Sequence, residues 1–79
     1  MLILEIYSAK KEKLKKLIGL KIVEIREKKG WSQSDLARAS GKDRQAIEKL
    51  ENGKVNPTLY SLSEIADALE IKLSSLTDI

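Results

Sequence analysis

The chain contains no cysteine and no histidine. That excludes disulfides, thiol catalysis, cysteine–histidine zinc sites and any histidine general base or triad. There is no Gly-rich phosphate loop either. Carboxylates, lysine, serine and tyrosine are all that remain for chemistry, so the expectation is a protein that is not an enzyme and holds neither metal nor cofactor. No apolar run approaches the roughly 18 residues of a membrane helix. The start, Met1 to Glu5, carries no leading positive charge, which argues against a secretory signal and for the cytoplasm.

What is present fits one small domain of 79 residues, 42% apolar and 34% charged. A domain of this size buries only about 60% of its unfolded surface, so short, efficient elements must supply the core. The net charge of +3 is unevenly placed. Residues 1–30 hold nine basic and four acidic residues, a net of +5. Residues 31–79 hold six basic and eight acidic residues, a net of −2. A basic half on a small domain suits a polyanion partner. Equally, Lys10, Lys11, Lys13, Lys15 and Lys16 could simply solvate one helix.

Helix punctuation recurs along the chain. Ile3, Ile6 and Tyr7 favour extended chain, so residues 1–7 read as a short strand or irregular segment. Ser8 can cap a helix that runs to Lys29 through Lys, Leu, Glu and Ile, where Gly30 stops it. Ser32 with Asp35 three residues on forms a capping box for a helix over about 33–39, ended by Ser40-Gly41. Asp43 can cap a helix over about 44–52, stopped by Gly53. Thr58 can cap a fourth helix to Leu69, with Leu59, Leu62, Ile65, Ala66 and Leu69 as one apolar stripe. Residues 71–79 leave room for a last short helix. The expected fold is all-α, five helices behind an N-terminal extension: residues 1–16 the extension, residues 17–79 the domain proper.

The stretch Ser32 to Gly53 places two short helices about a tight turn. Ala37 is small where helices would cross, Gly41 sits where a left-handed backbone is needed, and Leu36, Ile47 and Leu50 can fill the wedge between the helices. With Trp31-Ser32-Gln33-Ser34-Asp35-Leu36-Ala37, Ile47 to Lys54 and Asn56-Pro57, and with Gly19, Ile22, Ile25 and Arg26 upstream, the chain resembles the phage repressor and Cro-like helix-turn-helix proteins over residues 18–77. The resemblance implies a lambda-repressor-like fold whose third helix reads bases in the major groove. By position, the base readers would be Arg44, Gln45 and Lys49. Their chemistry agrees, since Arg and Lys donate to guanine and Gln pairs with adenine. The phosphate contacts would be Gln33, Asn52 and Lys54. Arg26 and Glu51 match a pair that forms a salt bridge in similar proteins. Three positions depart from the pattern: Lys42 replaces an apolar turn residue, Asp43 a Ser or Thr cap, and Glu70 a helix-ending Gly.

The N-terminal helix is the part the resemblance leaves unexplained. Ile18, Ile22 and Ile25 serve the core, but Leu17, Leu20 and Val23 widen the apolar arc to about 260°, too wide for one core. A second surface is expected: either residues 2–7 fold back, or another subunit covers the helix. Leu2, Leu4, Ile6, Leu17, Leu20 and Val23 are therefore the candidate dimer or partner surface. The functional expectation is a sequence-specific transcriptional regulator, a repressor that binds double-stranded DNA as a homodimer on a pseudo-palindromic operator. No small-molecule ligand is expected. The alternatives are an antitoxin that binds both DNA and a toxin, and an interaction module that no longer reads bases.

Overall fold

The computed structural model describes residues 3–78, with side chains from Ala9 onward. Five helices follow in order: α1 Ile3–Lys28, α2 Gln33–Ser40, α3 Arg44–Glu51, α4 Leu59–Leu69 and α5 Ser74–Thr77. Among the described residues there is no strand. No helix among them is long and apolar enough to cross a membrane.

The start of the chain corrects the sequence reading. Residues 3–7 are helix rather than strand, and Ser8 lies inside α1 rather than capping it. Once a helix is nucleated, each added residue gains a hydrogen bond, while a β-branched residue costs only a few tenths of a kcal/mol. Neither Gly nor Pro stands before Gly19 to stop that propagation. Residues 3–7 continue the helix, so they do not fold back over it. The 26 residues of α1 span about 39 Å at 1.5 Å per residue. That nearly equals the molecule's long axis of 42 Å, against 23 and 21 Å across.

The later boundaries follow their caps. At α2, Ser32 Oγ accepts the Asp35 N–H at 3.1 Å, and Asp35 Oδ2 accepts the Ser32 N–H at 2.8 Å. At α3, Asp43 Oδ1 accepts the Ala46 N–H at 2.7 Å. At α4, Thr58 Oγ1 accepts the Ser61 N–H at 2.9 Å. Each satisfies a donor that a helix start otherwise leaves unpaired. Gly41 at φ 72° turns α2 into α3 in the left-handed region. Glu70 does the same after α4 at φ 60°, where an L-residue carries a steric cost.

One core joins all five helices. Ile18 and Ile22 of α1 meet Leu36 and Ala37 of α2, Ile47 and Leu50 of α3, Leu62, Ile65, Ala66 and Leu69 of α4, and Leu76 of α5. Trp31 packs half-buried on its rim. Each fully buried Leu or Ile contributes roughly 1.5–3 kcal/mol. Leu59 does not join the α4 stripe and is 68% exposed. It is the first residue of the helix, and a helical side chain leans toward the N-terminus, away from the core that Leu62 enters.

Gly19 sets the distance between α1 and α3. A Cβ there would stand 2.6 Å from the Leu50 carbonyl oxygen and closer still to that of Glu51. The glycine lets α1 lie directly across the end of α3, which fixes how far α3 stands out from the domain.

Candidate nucleic-acid interface

The helix-turn-helix is held from behind by Glu51, which is 6% exposed at the last position of α3. Arg26 of α1, 9% exposed, donates from Nε to Glu51 Oε2 at 2.7 Å and from Nη2 to Oε1 at 3.1 Å. Its Nη1 donates to the Trp31 carbonyl at 2.7 Å. Gln33 Nε2 also donates to Glu51 Oε1, at 2.9 Å. The hydrogen bonds to Glu51 raise the Arg26 pKa above its ordinary value, so the guanidinium stays charged. A carboxylate this deep needs such donors, because an unpaired buried charge is costly.

The chain of contacts reaches the surface. Arg44 Nη1 donates to Gln33 Oε1 at 3.2 Å. The Gln33 amide therefore links the buried pair to the first residue of α3. The Arg26–Glu51 pair is the one the resemblance implied, but the two links through Gln33 were not legible in the sequence, which offered Gln33 only a phosphate role. Gln33 lies 18 residues from Glu51 and 11 from Arg44, and no local spacing joins them.

Arg44, Gln45 and Lys49 are all exposed on the outer face of α3. Gln45 and Lys49 line an open groove of about 530 Å³ together with Asn56 and Thr58 from the segment that leads into α4. Asn56 has no role in the sequence reading, and its place in that groove makes it a further candidate for polar contact. Asn52 and Lys54 are exposed just beyond α3. Both lie on Glu48: Asn52 Nδ2 donates to the Glu48 carbonyl at 3.0 Å and to Oε1 at 3.3 Å, and Lys54 Nζ approaches Oε1 at 3.5 Å. Glu48 is thus an internal anion beside the two residues assigned to phosphate.

Lys42, out of pattern in the sequence, is accounted for by its partner. Its side chain is 19% exposed and its Nζ meets Glu64 Oε1 of α4 at 3.0 Å. The turn is tied to α4 by an ion pair over an aliphatic stem rather than by an apolar side chain.

On α1, Leu20 is 62% exposed and Leu14 49%, while Leu17 and Val23 are half-buried. Leu4 and Ile6 lie on the first turns of the helix, and Leu2 lies outside the described residues. The wide apolar arc is therefore covered on only one side. Tyr60, 76% exposed beside Leu59, adds a second apolar spot that periodicity did not indicate.

Residues 22–76 match the helix-turn-helix family. The chain belongs to that family. It is 36% identical over 58 residues to an uncharacterized HTH-type transcriptional regulator, y4dJ, of Sinorhizobium fredii, covering 73% of this chain and 75% of that one. It is 34% identical over 50 residues to the antitoxin HipB of Escherichia coli, covering 63% of this chain and 57% of HipB. Among solved structures it is similar to the restriction-modification controller protein C.AhdI of Aeromonas hydrophila, with a TM-score of 0.76 and 38% identity, over 81% of this chain and 96% of that one. The chain spans 36% to 75% of the length of its curated relatives. The helix-turn-helix match and the regulator relatives make this a DNA-binding regulator of the Cro-like type.

Proposed function

We propose that this helix-turn-helix protein is a cytoplasmic repressor that acts as a homodimer on a pseudo-palindromic operator. The observation that carries the reading is the outer face of α3. Arg44, Gln45 and Lys49 stand exposed on a helix whose opposite face, Ile47, Leu50 and Glu51, is locked into the core. A rigid helix with a polar outer face can enter the major groove and offer donors to base edges. Arg44 and Lys49 suit guanine, and Gln45 suits adenine. Gln33, Asn52 and Lys54 would hold phosphates at the two ends of the unit and set its register. Because Gln33 also meets Arg44, a phosphate at Gln33 would help fix the Arg44 guanidinium for base contact.

Leu17, Leu20 and Val23, with Leu2, Leu4 and Ile6 toward the start of α1, would be covered by the second subunit. Two copies related by a two-fold axis would place their recognition helices about one DNA turn apart. The likeness to HipB favours a second reading, an antitoxin whose α1 surface meets a toxin instead.

The test is selection from random duplex DNA, followed by titration of the winner across salt. The reading expects a pseudo-palindrome, a steep salt dependence and a stoichiometry of two chains per site. Absence of any enriched site, with only weak binding left, would refute sequence reading by this chain. A winner bound by single chains, with monomers in sedimentation, would refute the homodimer alone.

A further inference from the structure

We propose that the lysine-rich stretch of α1, residues 10–16, is a second DNA-binding element that grips the phosphate backbone outside the base pairs read by α3. The inference rests on the DNA-binding reading above and extends it to a part of the chain that lies upstream of the family match.

The placement comes from Gly53. A Cβ on Gly53 would stand 2.9 Å from Lys16 Cγ and 3.1 Å from both Lys16 Cα and its amide nitrogen. The turn after α3 therefore lies directly on α1 at Lys16. Its neighbours in sequence are Asn52 and Lys54, the two residues assigned to phosphate at this end of the unit. From Lys16, α1 continues toward Ile3 for 13 residues, about 20 Å. Residues 9–14 of that length are all exposed. The helix thus leaves the domain from the corner where the backbone of a bound duplex would pass.

The charge on this projection selects the partner. Residues 10–16 hold five lysines and one acid, Glu12. Glu12 pairs with Lys15 at 2.8 Å, and that contact lowers its pKa, so it stays ionised, and residues 10–16 carry a net charge of +4. Lys10, Lys13 and Lys16 are exposed at steps of three, a row about 9 Å long that begins at Gly53. The second subunit would cover α1 on either side of this stretch and leave the stretch itself open, because two such rows brought together would repel. Duplex DNA presents a negative charge about every 1.7 Å of its axis and gains from releasing counterions. The contact would carry no base preference, because phosphates carry none. It would add affinity and lengthen the bound site.

The experiment compares the whole chain with the variant Lys10→Gln, Lys13→Gln, Lys16→Gln and with the charge-keeping variant in which the same three become Arg. Circular dichroism checks that each stays helical. Each is titrated on the selected operator across salt and on the same operator trimmed of its flanking base pairs. The Gln variant is expected to lose two to three units of the log–log salt slope per bound chain. It should bind roughly 10- to 100-fold more weakly near physiological salt, with its base preferences unchanged. Trimming the flanks should weaken the native chain and the Arg variant but not the Gln variant. A Gln variant with native slope and native response to trimming would overturn the inference while leaving base reading by α3 intact. A Gln variant that dissociates into monomers with its slope per chain unchanged would overturn it too, and assign the lysines to a protein interface. Failure of the native chain to select any duplex would remove both this inference and the reading beneath it.

Discussion

Removing Arg26 is the severest single test of how this domain is held together. Arg26→Met keeps the aliphatic stem but leaves the Glu51 carboxylate, 6% exposed, with Gln33 as its remaining side-chain donor. Breaking a buried ion pair on one side costs about 3–5 kcal/mol. A chain of this length has a total stability of roughly 4–12 kcal/mol. The variant should therefore lose at least about a quarter of its stability, and at the low end of that range it would stand at its unfolding midpoint at room temperature. Removing both charges, Arg26→Met with Glu51→Leu, should recover most of the loss, because two apolar side chains replace two desolvated ions. About 1–2 kcal/mol should stay lost, since the Trp31 carbonyl and the Gln33 amide each lose a partner. Urea unfolding followed by the fluorescence of Trp31, the single tryptophan, measures all three proteins. A single variant within 1 kcal/mol of native, or a double variant no more stable than the single, would refute the argument.

Three further outcomes follow from local geometry. Gly19→Ala should destabilise by about 1–3 kcal/mol, because its Cβ would drive α1 off the Leu50 and Glu51 carbonyls; urea midpoints decide it, and no loss would mean that the helices are not held at that spacing. Glu70→Gly should stabilise by about 0.5–1 kcal/mol by relieving the left-handed backbone at φ 60°, a gain visible as a few degrees in thermal melting. The Asp35 carboxyl is held below its ordinary pKa, first by the Ser32 N–H, then by the Ser32 hydroxyl and the Arg38 charge. Its contribution is thus present above the ordinary aspartate value near 4 and lost as pH falls through the lower folded value. The stability gap between the native chain and Asp35→Asn should close on acidification through that window; a constant gap would show that the cap is not sensed by the proton.

The helix starts at Ser32, Asp43 and Thr58 were legible because capping is local: a side chain reaches a backbone N–H three residues on, and sequence spacing is all it needs. The turn at Gly41 was legible from the freedom of glycine to take a left-handed backbone, whereas Glu70 was marked only by the resemblance, which has Gly there. The start of α1 was not legible, because Ile3, Ile6 and Ser8 each carry a local signal against helix that cooperative propagation from residues beyond overrode. Leu59 fitted the period of α4 but not its core, since periodicity does not say where a helix begins to touch its neighbours. The pairing of Arg26 with Glu51 came from resemblance alone, as 25 residues separate them. Gly19 entered the sequence reading only as one of the residues that fit the first helix of the resemblance. Its function as the contact between α1 and α3 exists only in three dimensions, as does the Gln33 bridge from Glu51 to Arg44. At the candidate interface, the resemblance pointed to the outer face of α3 and the residue types agreed with it, whereas the internal anion Glu48 and the place of Asn56 at the groove needed the fold.

Base reading by α3 through Arg44, Gln45 and Lys49 would be seen in a complete single-base substitution profile of the selected operator, measured at fixed salt for the native chain and for Lys49→Ala and Gln45→Ala. Each variant should flatten the profile at one or two symmetry-related positions, by about 1–3 kcal/mol of lost discrimination, with the other positions preserved. Variants that weaken binding equally at every position, leaving the shape of the profile intact, would contradict base reading and assign those side chains to the phosphate backbone.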